Sequence, residues 1–343
     1  MKSPKVINTL QGLADIAGVS RATASRALND SPLISDKTKQ RIQALAEQHR
    51  YSLNTKARDF RLQRSNLVSV IFMLDIPSKQ HMSDPFFLEM LGAVADCLAE
   101  HDYDLLLAHA PVTDALALGR TRVLQQADGL IFLGQGTQHR ELNDLALSEK
   151  PMVVWGGQAA GRRYTLVGGD NHQGGFQVTQ HLLSLGRKKV AFFGNLLNPE
   201  IRARHQGYER ALSVAGVEPM SSLRKDVPFQ MQEARHAVID FLHSGVDVDA
   251  IVCASDVMAL ATIATLQSEG IAVPGDIAVT GYDDIALASY SNPPLTTVRQ
   301  NIQWSGRVLV ETVLSQIRGE TASDTTVSSQ LQVRESCGAA AST

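Results

Sequence analysis

The chain has few cysteines. Cys97, Cys253 and Cys337 are its only three in 343 residues, far apart and in no CxxC or other metal-ligand spacing. That excludes a disulfide scaffold and gives no metal site to name; reduced thiols are expected, the first two in the core. The chain also lacks any 18-residue apolar run that could span a membrane, and its first residues form no apolar stretch suited to a signal peptide. A cytoplasmic protein without membrane contact is the expectation. Catalytic signatures are missing too. No GxGxxG opens a helix after a strand, and there is no GxSxG or HExxH, so no catalytic residue can be nominated and an enzyme is not expected.

Net charge is low as well, at −3, so the chain as a whole is no polycation. The balance is uneven, however. Residues 1–65 hold 12 Lys/Arg against 5 Asp/Glu, a net of +7, which leaves −10 for the remainder. A basic head on an acidic body implies that only the head meets a polyanion. Hydrophobic content of 44% and charged content of 20% fit globular domains, and the length calls for two or three of them.

Within the head, Leu10 to Asn29 reads LQGLADIAGVSRATASRALN. Leu10, Leu13, Ala14 and Ala17 are spaced as one helical face, Gly18 suits a left-handed turn, and Ser20 can cap a second helix. Small Ala24 and Ala27 let that helix pack closely while its other face stays free for a major groove. An ordinary helical hairpin would have the same turn; the flanking positive charge favours a helix-turn-helix. A third helix follows Ser35-Asp36 with Ile42, Leu45, Ala46 and His49 on one face. Residues 51–65, YSLNTKARDFRLQRS, are polar and basic and read as a linker.

From Asn66 the texture changes. The runs NLVSVIFML, YDLLLAH, DGLIFLG, PMVVW, KKVAFFGN, DAIVCAS and DIAVTGYDD have the length of buried parallel strands. Amphipathic segments lie between them, near 86–101, 114–126, 139–148, 171–186, 202–216, 231–244 and 256–269. This alternation implies βαβ units, too many for one sheet, with Gly168-Gly169-Asp170 near the middle. The reading is α/β, with a ligand held between two doubly wound sheets beyond the carboxyl ends of their strands.

These motifs resemble the lactose-repressor (LacI/GalR) family over nearly the full length. The head carries Thr9-Leu10, Ala14, Ala17-Gly18-Val19-Ser20, Thr23, Ser25-Arg26 and Leu28-Asn29. The body carries Asp84-Pro85-Phe86-Phe87, Asp128-Gly129, Asp170-Asn171, His181-Leu182, Leu185-Gly186, Arg204, Gly207-Tyr208, Ser255-Asp256, Gly281-Tyr282-Asp283-Asp284 and Pro294-Leu295-Thr296-Thr297. The resemblance implies a small all-α helix-turn-helix headpiece over 1–53, a hinge helix over 54–65, and a periplasmic-binding-protein-like body of two doubly wound parallel subdomains. These would be 66–168 with 299–325, and 169–298 with 326–343, the chain crossing near 168, 298 and 325. With no leucine heptad after Val333, a homodimer is expected.

The resemblance also implies roles. Arg21, Ala22 and Arg26 would meet base edges; an arginine can donate twice to guanine and the Ala22 methyl can touch thymine. Thr9, Ser20, Thr23, Ser25 and Asn29 would complete the DNA-binding set, largely through phosphates. In the hinge, Asn54, Ala57, Arg58 and Phe60 would contact DNA, with Lys56 and Arg58 near phosphates and Phe60 wedged in the minor groove where leucine is usual. Packing of Phe60 against the first strand of the body is the alternative. In the cleft, Asp283 would accept ligand hydroxyls, Arg204 would donate, Phe229 would stack, and Phe87 would line the opposite wall. Ser255, Asp256 and Gln300 complete the ligand set. Trp155-Gly156-Gly157 departs from the family, in which many sugar-responsive members carry Asp after this strand. Trp155 is either a stacking platform or a core aromatic at a strand end.

The implied function is a ligand-responsive regulator of transcription: a repressor of a carbohydrate-utilisation operon, released from double-stranded operator DNA by a small sugar such as a glucoside or cellobiose-like disaccharide. No cofactor beyond this effector is expected. The alternatives are a purine-type corepressor-dependent regulator, and a sugar-binding transport protein that would leave the basic head unexplained.

Overall fold

The computed structural model describes residues 7, 9–51, 65–73, 80–109, 121–136 and 138–339. Asn54, Ala57, Arg58 and Phe60 lie outside the described residues. The chain divides into two compact units, Met1–Ser65 and Asn66–Thr343.

The first unit is three helices: α1 (Leu10–Ala17), α2 (Arg21–Leu28) and α3 (Asp36–Gln48). The Thr9 hydroxyl accepts the Gly12 N–H at 3.1 Å and starts α1. Gly18, at φ +63°, ends it, in a left-handed conformation that glycine adopts without a Cβ penalty. Two residues on, the Ser20 hydroxyl accepts the Thr23 N–H at 3.1 Å and starts α2. Arg41 of α3 donates to the Ala17 carbonyl at 2.7 Å, satisfying an end group of α1. Ile7, Leu13, Ala17, Ala27, Ile42 and Ala46 form the small core.

The second unit holds two parallel sheets. The first contains β1 (Leu67–Phe72), β2 (Asp104–His109), β3 (Gly129–Leu133), β4 (Met152–Trp155), β5 (Thr165–Gly169) and β11 (Thr325–Val327), in the order β11-β5-β4-β3-β1-β2. The second contains β6 (Val190–Phe193), β7 (Arg224–Lys225), β8 (Ala250–Cys253) and β9 (Ala278–Thr280), in the order β7-β6-β8-β9. Helices α4 (Pro85–Glu100), α5 (Arg122–Gln126) and α6 (His139–Ala146) belong to the first lobe; α7 (Asn171–Ser184), α8 (Pro199–Val214), α9 (Met231–His243) and α10 (Asp256–Ser268) belong to the second. Strands β3, β4, β6 and β8 are buried at every position, which is why their sequences read as unbroken apolar runs.

Three passages of the chain connect the lobes. It leaves the first after Gly169 and returns through β10 (Thr297–Arg299) to α11 (Ile302–Ile317), which packs on α4. It leaves again after β11 to form β12 (Gln330–Gln332), antiparallel to β10. The third crossing falls just after Val327, because Thr325, Thr326 and Val327 all pair with β5. Cys337 is buried like Cys97 and Cys253, its sulfur 3.3 Å from His181 Nε2. Among the described residues no helix is long and apolar enough to cross a membrane, and no cluster of three His, Cys, Asp or Glu could hold a metal.

Candidate functional site

On the headpiece, α2 buries Ala24 and Ala27 and turns Arg21, Ala22, Arg26 and Asn29 outward, all exposed. Residues 22, 26 and 29 follow the four- and three-residue spacing of one helical stripe, so two small buried alanines leave a polar face unobstructed. Thr9 and Ser20 are exposed at the starts of α1 and α2; each hydroxyl oxygen accepts a backbone N–H. Thr23 is half-buried, its hydroxyl 2.8 Å from that of Ser20, and Asn29 donates to the half-buried Ser25 carbonyl at 2.7 Å.

In the body, a cavity opens between the lobes at the carboxyl ends of their strands. Trp155 ends β4, Gln135 and Gly136 follow β3, and Phe87 stands in the first turn of α4. From the second lobe come Asn198, Arg204 and Phe229, with Asp283 three residues past β9. Phe87, Trp155, Arg204, Phe229 and Asp283 from the sequence reading therefore meet in one cavity. Trp155 is both wall and core: it is 4% exposed and its ring centroid lies 6.1 Å from that of Phe86.

Arg204 reaches the cavity because α7 and α8 pack backbone to backbone. A Cβ on Gly175 would lie 2.1 Å from the Arg204 carbonyl oxygen, and one on Gly207 would lie 2.0 Å from that of His172. The guanidinium is then fixed on three sides. Its Nε donates to Asn171 Oδ1 at 2.8 Å, an Nη donates to the Ala254 carbonyl, and its plane lies 3.7 Å over the Tyr282 ring. Asp283 Oδ1 is 3.8 Å away, too far for a hydrogen bond but close enough for strong attraction in a buried setting.

Asp283 is held more tightly by Gln300, whose Nε2 donates to Oδ1 at 2.6 Å. Its backbone sits at φ +121°, a conformation that costs roughly 1–3 kcal/mol for a non-glycine residue and is typical of functional positions. The neighbouring Asp284 helps impose it, accepting from Arg299 and Arg334, each at 2.6 Å. Burial pushes the Asp283 carboxyl up to about 7; Arg204 opposes the shift, and the charge of Asp84 across the cavity adds to it. Asp84 is itself raised by burial, although it caps α4 by accepting the Phe86 N–H at 3.0 Å. A neutral ligand with hydroxyl groups suits such a site: it can donate to these carboxylates, accept from Arg204 and lie flat on the aromatic walls.

Three residues of the expected ligand set stand behind this wall. Ser255 caps α10, accepting the Met258 N–H at 3.3 Å. Asp256 is fully buried, accepting from the Thr297 hydroxyl and, at 2.9 Å, from the Ile285 N–H. It pins the turn that carries Asp283 to the crossover strand, and burial followed by the charge of Asp283 raises its carboxyl well above the ordinary range. Gln300, 1% exposed, orients Asp283. Conversely, the sequence reading passed over Gln135 and Asn198. Each lines the cavity and carries a buried side-chain atom, Gln135 Nε2 and Asn198 Oδ1, that has no partner among the described residues. The available signal was a glutamine held between glycines, in LGQGT, just past a buried strand.

Comparison with known proteins fits both units. Residues 9–54 match the family described as bacterial regulatory proteins, lacI family, and residues 179–337 match the periplasmic binding protein-like domain. The HTH-type transcriptional regulator CelR of Thermobifida fusca is 30% identical over 340 residues, covering 96% of this chain and 98% of its own. Among solved structures, a transcriptional regulator CelR–cellobiose complex is 29% identical with a TM-score of 0.70, covering 96% of this chain and all of its own. A Lac repressor dimer bound to operator and the anti-inducer ONPF has a TM-score of 0.84 at 22% identity over 98% of this chain and all of its own, a likeness of fold. With the helix-turn-helix, the two-lobed body and a full-length relative in agreement, this chain belongs to the LacI family of bacterial transcriptional regulators.

Proposed function

We propose that the protein is a repressor of a carbohydrate-utilisation operon, holding operator DNA through its headpiece and releasing it when a small sugar fills the cleft. The observation that carries the sugar reading is the constellation around Asp283: a buried carboxylate fixed by Gln300 and faced by Arg204, between the aromatic walls of Trp155, Phe87 and Phe229. A glucoside or a cellobiose-like disaccharide fits best. The regulator CelR, whose solved complex holds cellobiose, supports this choice. So does a second hollow that shares Asp84 and Phe229 with the first and is lined by Pro85, Val257, Leu260 and Ile285, giving room for a second ring.

On the DNA side, Arg21, Ala22 and Arg26 read base edges, while Thr9, Ser20, Thr23, Ser25 and Asn29 set the register. Asn54, Ala57, Arg58 and Phe60 form the hinge contact. A capping hydroxyl such as that of Thr9 accepts from the backbone and keeps its own proton for a phosphate. The two functions couple by population shift: sugar favours a closed cleft in which the hinges of a dimer no longer fit DNA, and operator affinity falls by the differential affinity of sugar for the two states. A thermal-shift panel of mono- and disaccharides tests the reading. Cellobiose or a related glucoside raises the melting temperature; a shift with nucleobases and none with any sugar would refute it.

A further inference from the structure

We infer that Gln135 and Asn198, facing the cavity from opposite lobes, recognise a hydroxyl-bearing effector, and that Gly156 is what allows Gln135 to do so. The inference rests on the cleft being the effector site.

Gln135 follows β3 and is fully buried. Its Oε1 accepts the Gly157 backbone N–H at 2.9 Å. A backbone N–H can only donate, so this bond decides which end of the amide is oxygen. The NH2 end is left in the cavity wall without a partner among the described residues. From the other lobe, Asn198 precedes α8, is 6% exposed and makes no side-chain capping bond; its buried Oδ1 also lacks a partner among the described residues. Buried polar atoms are rarely left unpaired, and where they are, a missing partner is the first explanation. Here the missing partner must accept from Gln135, and with Oδ1 of Asn198 turned inward as it stands, it donates on the other lobe. A hydroxyl-rich neutral molecule does both. A carboxylate or phosphate could accept from Gln135, but it would have nothing to donate to Asn198 and would face Asp84 and Asp283.

Gly156 makes room for the glutamine. A Cβ there would lie 2.3 Å from Gln135 Oε1 and 3.0 Å from its Cβ, so a side chain at 156 would displace it. The departure at Trp155-Gly156-Gly157 thus removes a polar side chain from the end of β4 and gives its place to one from the end of β3.

Calorimetric titration of the full chain with cellobiose and glucose as sugar probes, and hypoxanthine as a nucleobase probe, tests the inference. Q135E keeps the bond to Gly157 but loses the donor, and Q135M fills the space without either. Both are expected to weaken sugar binding tenfold or more. G156A should weaken it comparably, and G156A combined with Q135M should be no worse than Q135M alone. Sugar affinity within twofold of the parent in both Gln135 variants would overturn the inference and leave the sugar reading standing. Binding of hypoxanthine alone would defeat the sugar reading and the polyol class together, even if Q135M weakened it. No binding of any probe to the parent would count against both.

Discussion

Replacing Asp283 with asparagine should stabilise the ligand-free protein at pH 8, although it removes a central polar group. The Asp283 carboxyl ionises near 7, against 3.8 for an ordinary aspartate, chiefly because it is buried. At about 1.4 kcal/mol per decade of proton affinity, the ionised form costs the empty fold about 4 kcal/mol. The folded state holds this proton more strongly than the unfolded chain, so the group's contribution is favourable at low pH and is lost as pH rises from about 4 to about 7. An asparagine in its place has no such dependence. The amide oxygen can still accept from Gln300 Nε2, and Arg204 keeps Asn171, the Ala254 carbonyl and the Tyr282 ring. At roughly 2 °C per kcal/mol for a domain of this size, Asp283→Asn should melt several degrees above the parent at pH 8, with the gap closing towards pH 4. The assay is a melting series from pH 4 to pH 8 without effector. Asp84 and Asp256 titrate in both proteins, and since the charge of Asp283 raises Asp256, the difference curve reports Asp283 together with its effect on that neighbour. A variant no more stable at pH 8, or a gap that ignores pH, would refute the reasoning.

Three further outcomes follow from the same geometry. Arg26→Ala should cost about 1–3 kcal/mol of operator affinity while leaving non-specific DNA binding nearly unchanged, and full retention of specific binding in an anisotropy assay would remove the base-contact assignment. Gly175→Ala should lower stability by about 1–3 kcal/mol and weaken sugar binding, because its Cβ would drive α7 off α8 and shift Arg204; an unaltered melting temperature would contradict that packing. Phe60→Ala should weaken operator binding without altering calorimetric sugar affinity, and undiminished operator binding would dispose of the wedge.

Much of the fold was legible because buried parallel strands write themselves as apolar runs, and all seven such runs hold strands. What stayed hidden was short or interrupted. Strand β5 reads TLVGG, its apolar signal cut by two glycines at the crossover, and β10, β11 and β12 are three residues each. Helix α11 was also missed: Val308, Leu309 and Val310 are consecutive and all buried, which blurs the helical period. In the site, Asp283 and Arg204 were visible through family motifs. Gln135 was not, since its role depends on Gly156 and Gly157, about 20 residues away just past the neighbouring strand. Asp256 and Gln300 lie in recognisable motifs, but which way they face is decided by Thr297, Ile285 and Asp283, which only the folded chain brings to them.

The central claim is that the Asp283 cleft governs the hold on DNA. Its most direct test is a fluorescence-anisotropy titration of the full-length protein on an operator selected from random duplexes, with and without saturating cellobiose or the best sugar from the thermal panel. Sugar should weaken operator binding at least tenfold in the parent and leave Asp283→Asn bound. Sugar that demonstrably occupies the cleft of the parent without changing operator affinity would contradict the claim.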